Sequence, residues 1–231
     1  MSLNADWKGD QLKDIPSAIL WDLDGTIVNS KACHFYTWHY ALEKQGITLE
    51  KSVFDKNFGR NNPTLLPLFL GFQPDADLGA EIINDKETLF REIAQQQVEL
   101  IPGVETWLLS ADGMNIAQAI ASSAPMENIT VLLNIFNLDQ YFDLKVSGVD
   151  LPTKPAPDIF LQTASGLEFQ PRECLVVEDS VSGVQAAKSA GMKCVAVTTS
   201  HSREELTLAD LVVDDFQESI EVAFEALNWG E

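Results

Sequence analysis

Cysteine is scarce: Cys33, Cys174 and Cys194 are the only three in 231 residues. They are too few and too scattered for a disulfide framework or a thiolate zinc site. No uninterrupted apolar stretch approaches the roughly 20 residues of a membrane helix. Residues 1–16 are largely polar and lack the apolar segment of a secretory signal. Positive charge is also in short supply, with 15 Lys and Arg against 35 Asp and Glu and a formal net charge of −20. An acidic surface repels polyanions, which argues against nucleic acid and anionic membranes as electrostatic partners. No internal repeat or low-complexity tract stands out. These absences leave an acidic, folded protein whose simplest setting is the reducing cytoplasm.

What is present is ordinary for a globular chain: 45% hydrophobic and 22% charged residues, with five Trp and twelve Phe for a core. Residues 17–21 (Ser-Ala-Ile-Leu-Trp) follow Pro16 and precede a polar, Gly-containing turn, the pattern of a strand buried on both faces of a parallel sheet. Residues 117–121, 174–177 and 193–197 repeat it, and 144–147 and 211–213 do so more weakly. Helical segments at 158–165 and 181–190 fall between them, the second stopped by Gly191. This alternation predicts an α/β fold, a Rossmann-like parallel sheet.

Between residues 31 and 97 the rhythm changes. Phe35, Trp38, His39 and Leu42 follow helical spacing up to Gly46, Pro63 suits the first turn of another helix, and Leu78, Ile82, Leu89 and Ile93 mark a long one. Ile101, Pro102 and Gly103 then punctuate the return. The expected organisation is an α/β core made of residues 1–30 and 98–231, interrupted by an inserted all-helical cap domain at 31–97.

Four sequence features carry chemistry. Asp22-Leu23-Asp24-Gly25-Thr26 follows the first strand directly, and ligands of open α/β sheets bind at the carboxyl ends of strands. There one carboxylate can attack an electrophile while the other moves a proton, provided a cation keeps the first ionised. Asp and Gly are also ordinary turn residues. Glu178-Asp179 follows the third apolar run; either Asp179 or Ser180 alone would serve as a helix N-cap. If that strand neighbours the first, Asp179 and Asp22 converge on one hard divalent cation, and Mg²⁺ suits such oxygen ligands. Ser122-Ser123, by itself a Ser-rich turn, offers hydroxyl and N–H donors for phosphate. Lys154, beside Pro155 and Pro157, is a stiffly held cation for phosphate and carboxylate.

Taken in order, Asp22 to Thr26, Ser122, Lys154 to Asp158 and Glu178-Asp179 resemble the four motifs of the haloacid dehalogenase superfamily. The likeness is greatest to its capped phosphoglycolate-phosphatase-like and β-phosphoglucomutase-like members. The resemblance implies that Asp22 is the nucleophile of an aspartyl-phosphate mechanism. Asp24 would be the acid and base and would ligate the metal through its carbonyl. Ser122, with Ser123, and Lys154 would hold the phosphoryl group. Asp22, Asp24, Glu178 and Asp179 would hold Mg²⁺. In the cap, His34 and Arg60 are substrate candidates, although packing is the simpler reading both for His34 and for Trp38 one turn further on. His201 is assigned no role. Asn29 departs from the pattern, since many relatives carry Asp there.

The function this implies is a Mg²⁺-dependent phosphatase of small phosphorylated metabolites, including sugar phosphates. The alternatives are a β-phosphoglucomutase-type phosphosugar mutase and a non-catalytic binding module on the same fold. Dehalogenation fits less well, because it needs neither the Asp24 acid/base nor the Glu178-Asp179 ligands.

Overall fold

The computed structural model describes residues 15–229; most of the polar opening segment read above as lacking a signal lies outside them. Six strands form one parallel sheet: β1 (Ala18–Trp21), β4 (Ala117–Ser122), β5 (Leu144–Ser147), β6 (Cys174–Glu178), β7 (Lys193–Val197) and β8 (Leu211–Val213), in the order β5-β4-β1-β6-β7-β8. All six apolar runs are strands. β1 lies inside the sheet and is fully buried on both faces, so its residues alternate between two cores. Ile19 and Trp21 join the side that holds Trp107, Phe216 and Phe224, whereas Ala18 and Leu20 face Phe160, Val184 and Ala187. Trp21, Trp107 and Phe216 meet edge-to-face or tilted, with centroids 4.9–6.4 Å apart.

The helices on the sheet are α5 (Val104–Gly113), α6 (Met126–Ile135), α7 (Asp158–Gly166), α8 (Val181–Ser189) and α9 (Ile220–Ala226). α8 settles the choice of cap: Ser180 accepts from Gly183 N at 3.0 Å, which leaves Asp179 free to face elsewhere. Gly191, at φ +76°, reverses the chain after this helix.

Four helices follow the first strand: α1 (Lys31–Glu43), α2 (Lys51–Asn57), α3 (Asn62–Leu70) and α4 (Ala76–Gln97). Their own core gathers Trp38, Leu42, Phe54, Leu66, Phe69 and Ile82. The chain enters and leaves this insert through a two-stranded antiparallel ribbon, β2 (Val28–Asn29) with β3 (Glu99–Leu100). Asn29 is exposed there, opposite Glu99; an Asp at this position would set two carboxylates against each other. No helix among the described residues is long and apolar enough to cross a membrane.

The sheet decides where a site can form. β1 pairs with β4 on one side and with β6 on the other, so a crevice opens at the carboxyl ends of these three strands.

Candidate active site

The three strand ends deliver Asp22 after β1, Ser122 at the end of β4, and Glu178 and Asp179 at the end of β6. Lys154 reaches in from the loop before α7, and its ammonium donates to Asp22 Oδ1 and Glu178 Oε1, both at 2.6 Å. Asp22, Glu178, Asp179 and Lys154 are 7%, 1%, 1% and 2% exposed. Glu178 Oε2 is further held by the backbone N–H groups of Asp179 and Ser180. Ligand oxygens of Asp22, Glu178 and Asp179 lie within 4.8 Å of one another.

This centre holds three carboxylates against one ammonium. Burial, reinforced by Glu178, carries the Asp22 carboxyl up to about 7 against the pull of Lys154. Burial, with Glu178 and Asp22 as neighbours, raises Asp179 well above its ordinary value, and Lys154 in turn is raised by its two partners despite its own burial. Asp179 Oδ2 is buried with no hydrogen-bond partner, beside a similarly unpartnered Ser200 Oγ. An unsatisfied oxygen among three buried carboxyl groups, whose raised values mark crowded negative charge, fits a hard divalent cation.

Gly25 makes the approach possible. It sits at φ +96°, and a Cβ there would fall 2.0 Å from Asp179 Oδ2, while its carbonyl accepts from Thr199 Oγ1. Gly25→Ala is expected to cost about 1–3 kcal/mol of folding stability through strain and displacement of Asp179, read as a lower urea midpoint.

Asp24 lies apart from the acidic trio. Its Oδ1 accepts from Ser30 Oγ at 2.6 Å and from His34 Nε2 at 2.9 Å. On the other side of the ring, Lys86 Nζ lies 3.0 Å from His34 Nδ1. An ammonium only donates, so Nδ1 accepts and Nε2 carries the proton given to Asp24. The ring stacks on Phe90 at 4.1 Å. Burial pushes the Asp24 carboxyl up, but His34, Ser30 and Lys86 together hold it below its ordinary value.

Between the strand ends and the insert lies a half-open cavity of about 40 Å³, room for only a few waters. Asp22, Asp24, His34, Arg60, Lys86 and Ser122 are among its lining residues. The turn before α3 is docked on the core: Ser123 Oγ donates to Gly59 O at 3.0 Å, and Asn61 Nδ2 to Gly148 O at 3.4 Å.

The sequence candidates therefore fall into three groups. Asp22, Lys154, Glu178 and Asp179 form one contiguous cluster, and Asp24 and Ser122 share the cavity with Asp22. Ser122 Oγ accepts from Ala124 N at 3.1 Å, and the Ser123 hydroxyl is spent on Gly59. His34 lines the cavity, with its ring nitrogens engaged by Asp24 and Lys86. Arg60 lines the cavity and has no ion pair among the described residues. Trp38 packs edge-on against Phe69 at 5.3 Å, in keeping with the packing reading. Sequence reasoning missed Lys86 and Glu87, 2% and 4% exposed on α4. The available signal was Lys86, four residues from both Ile82 and Phe90 and so inside the apolar stripe, with Glu87 next to it. It also gave no role to the loop of Thr199, Ser200 and His201, whose His201 Nδ1 lies 3.2 Å from Asp179 O.

A parallel sheet with acidic residues at the ends of its central strands, covered by a helical insert, defines a capped α/β protein with a candidate catalytic centre. The chain belongs to the haloacid dehalogenase-like hydrolase family, whose sequence pattern matches residues 19–197. It is an enzyme of the phosphatase type within that family. It is 28% identical over 181 residues to the phosphorylated carbohydrates phosphatase of Thermotoga maritima, covering 76% of this chain and 82% of that one. It is 29% identical over 205 residues to the β-phosphoglucomutase of Bacillus subtilis, covering 85% and 88%. The crystal structure of β-phosphoglucomutase from Clostridium difficile superposes with a TM-score of 0.84 at 26% identity, over 93% of this chain and 98% of that one.

Proposed function

We propose that the protein is a Mg²⁺-dependent phosphatase that hydrolyses small phosphorylated metabolites, sugar monophosphates among them, by way of an aspartyl-phosphate on Asp22. The observation that carries this is the buried cluster of three carboxyl groups beside a fourth, separately held one, Asp24. In this reading an Asp22 carboxylate oxygen attacks phosphorus and the ester oxygen departs. Asp24, ionised before substrate binds, takes up the proton that a monoanionic phosphate ester carries in, passes it to that oxygen, and then takes one from the water that attacks the aspartyl-phosphate, regenerating Asp22 and releasing inorganic phosphate. Both Asp24 hydrogen bonds fall on Oδ1, which leaves Oδ2 for the travelling proton. Lys154 and Ser122 align the phosphoryl group. Mg²⁺, held by Asp22, Asp179, the Asp24 carbonyl and Glu178 directly or through water, would keep Asp22 ionised and neutralise phosphoryl charge. Residues 31–97 act as the cap, which lifts to admit a substrate larger than the cavity and then excludes bulk water. A metabolite of this kind fits a cytoplasmic setting.

The charge on the cap wall favours hydrolysis over the mutase reading. A mutase handles a bisphosphate and needs strong cationic holding for the second phosphate. Of the cap cations lining the cavity, Lys86 is already bound to Glu87 and His34, which leaves Arg60. A panel of sugar monophosphates is expected to give Mg²⁺-dependent release of inorganic phosphate, with no net isomerisation of β-glucose 1-phosphate. Isomerisation without phosphate release would favour the mutase, and turnover untouched by a chelator would sink the metal's role.

A further inference from the structure

Lys86 and Glu87 are charged groups hidden where helices usually place Leu or Ala, so their burial calls for complete pairing. Glu87 has it. Its Oε1 accepts from Lys86 Nζ at 2.7 Å and from Asn62 Nδ2 at 2.6 Å, and its Oε2 from Asn128 Nδ2 at 2.5 Å. Asn128 is fully buried on α6, the helix that follows Ser122-Ser123, and Arg91 NH1 donates to its Oδ1 at 3.1 Å. That contact fixes which end of the Asn128 amide faces Glu87. One carboxylate thus joins α3 and α4 of the insert to α6 of the sheet layer. From the same turn of α4, Lys86 continues to His34 and His34 to Asp24. With both oxygens engaged, Glu87 is spent on the protein and not on a substrate hydroxyl.

We propose that Glu87 and Asn128 form a polar junction that sets α4 against the core and thereby, through Lys86 and His34, fixes the Asp24 carboxylate for proton transfer. They are positioning residues, and the link to catalysis rests on the reading of Asp24 as acid and base. The proton-transfer apparatus is then assembled when the insert is seated and loosened when it is not, which couples closure to chemistry.

A polarity exchange tests this. Asn128→Asp sets two carboxylates against each other. Adding Glu87→Gln restores a donor facing an acceptor, keeps acceptors for Lys86 and Asn62, and leaves the total charge unchanged. In the ligand-free protein with Mg²⁺, Asn128→Asp is expected to speed hydrogen exchange in α4 and in residues 58–62 by about tenfold. It should lower kcat on glucose 6-phosphate by about tenfold or more with KM within about threefold, while single-turnover release of 4-nitrophenolate, which needs no proton, changes little. The double variant should recover both exchange and kcat. Wild-type exchange and kcat in Asn128→Asp, or a folded double variant no better than that single change, would overturn the junction. An equal loss of 4-nitrophenolate release would overturn its action through Asp24. If the wild type hydrolyses none of these esters, the proposed function fails, and the exchange measurements still decide the junction. If Asn128→Asp does not fold, recovery of a folded, wild-type-like double variant supports the junction, and failure to recover refutes it.

Discussion

Asp22→Asn is expected to reduce phosphate release by at least about 10⁴-fold, because the attacking oxygen is gone and no neighbour can replace it. Asp179 and Glu178 are near enough to share a cation with Asp22, but Glu178 is fixed by Lys154 and two backbone N–H groups. The same change should make the chelator-treated protein more stable at pH 8. Wild-type Asp22 is held at about 7 by burial and by Glu178, so ionising it in the folded chain opposes folding. An amide removes that charge, while its oxygen still accepts from Lys154, now at 2.6 Å from Asp22 Oδ1. Lost turnover with a higher melting temperature in EDTA would separate a chemical role from a structural one. Unchanged turnover would remove Asp22 from the nucleophile's place.

Much of this arrangement was visible in the residues themselves, for physical reasons. Strands buried on both faces need uninterrupted apolar runs, so β1, β4, β6 and β7 announced themselves, and β5 and β8 did so with less apolar residues. The motif carboxylates converge because β1 sits between β4 and β6, an adjacency that the apolar runs alone leave open. β2 and β3 were invisible because two-residue strands exist only through their pairing. α4 was read as a helix from Leu78, Ile82, Leu89 and Ile93, yet its buried line runs through Gly79, Ile82, Lys86, Phe90 and Ala94. Hydrophobic periodicity cannot see a buried ion pair, since it scores Lys86 and Glu87 as solvent-facing. For the same reason His34 could be flagged only as a cap residue near the site. Its partners, Asp24 and Lys86, are 10 and 52 positions away in the chain.

The stability of the protein should depend on pH and Mg²⁺ together. Asp22 moves from an ordinary 3.8 to about 7 on folding, and Asp179 moves in the same direction. Between those pH values the folded chain keeps a proton that the unfolded chain has released, so stability falls as pH rises. Asp24 and Glu87 are shifted down. Their contribution is complete above the ordinary carboxylate range and is lost only as pH falls through their folded values, below this window. In EDTA the melting temperature should therefore decline from pH 5 to pH 8. A divalent cation competes with those protons, so its affinity and its stabilisation should both grow over the same interval. At a concentration about 100-fold above Kd, binding adds about 2.7 kcal/mol, roughly 5–10 °C for a chain of this size. Thermal melts at pH 5 and pH 8, with and without Mg²⁺, measure this directly. An increment of equal size at both pH values would mean that the cation does not draw on Asp22 and Asp179. In Asp22→Asn the decline in EDTA should be shallower, leaving the part that belongs to Asp179.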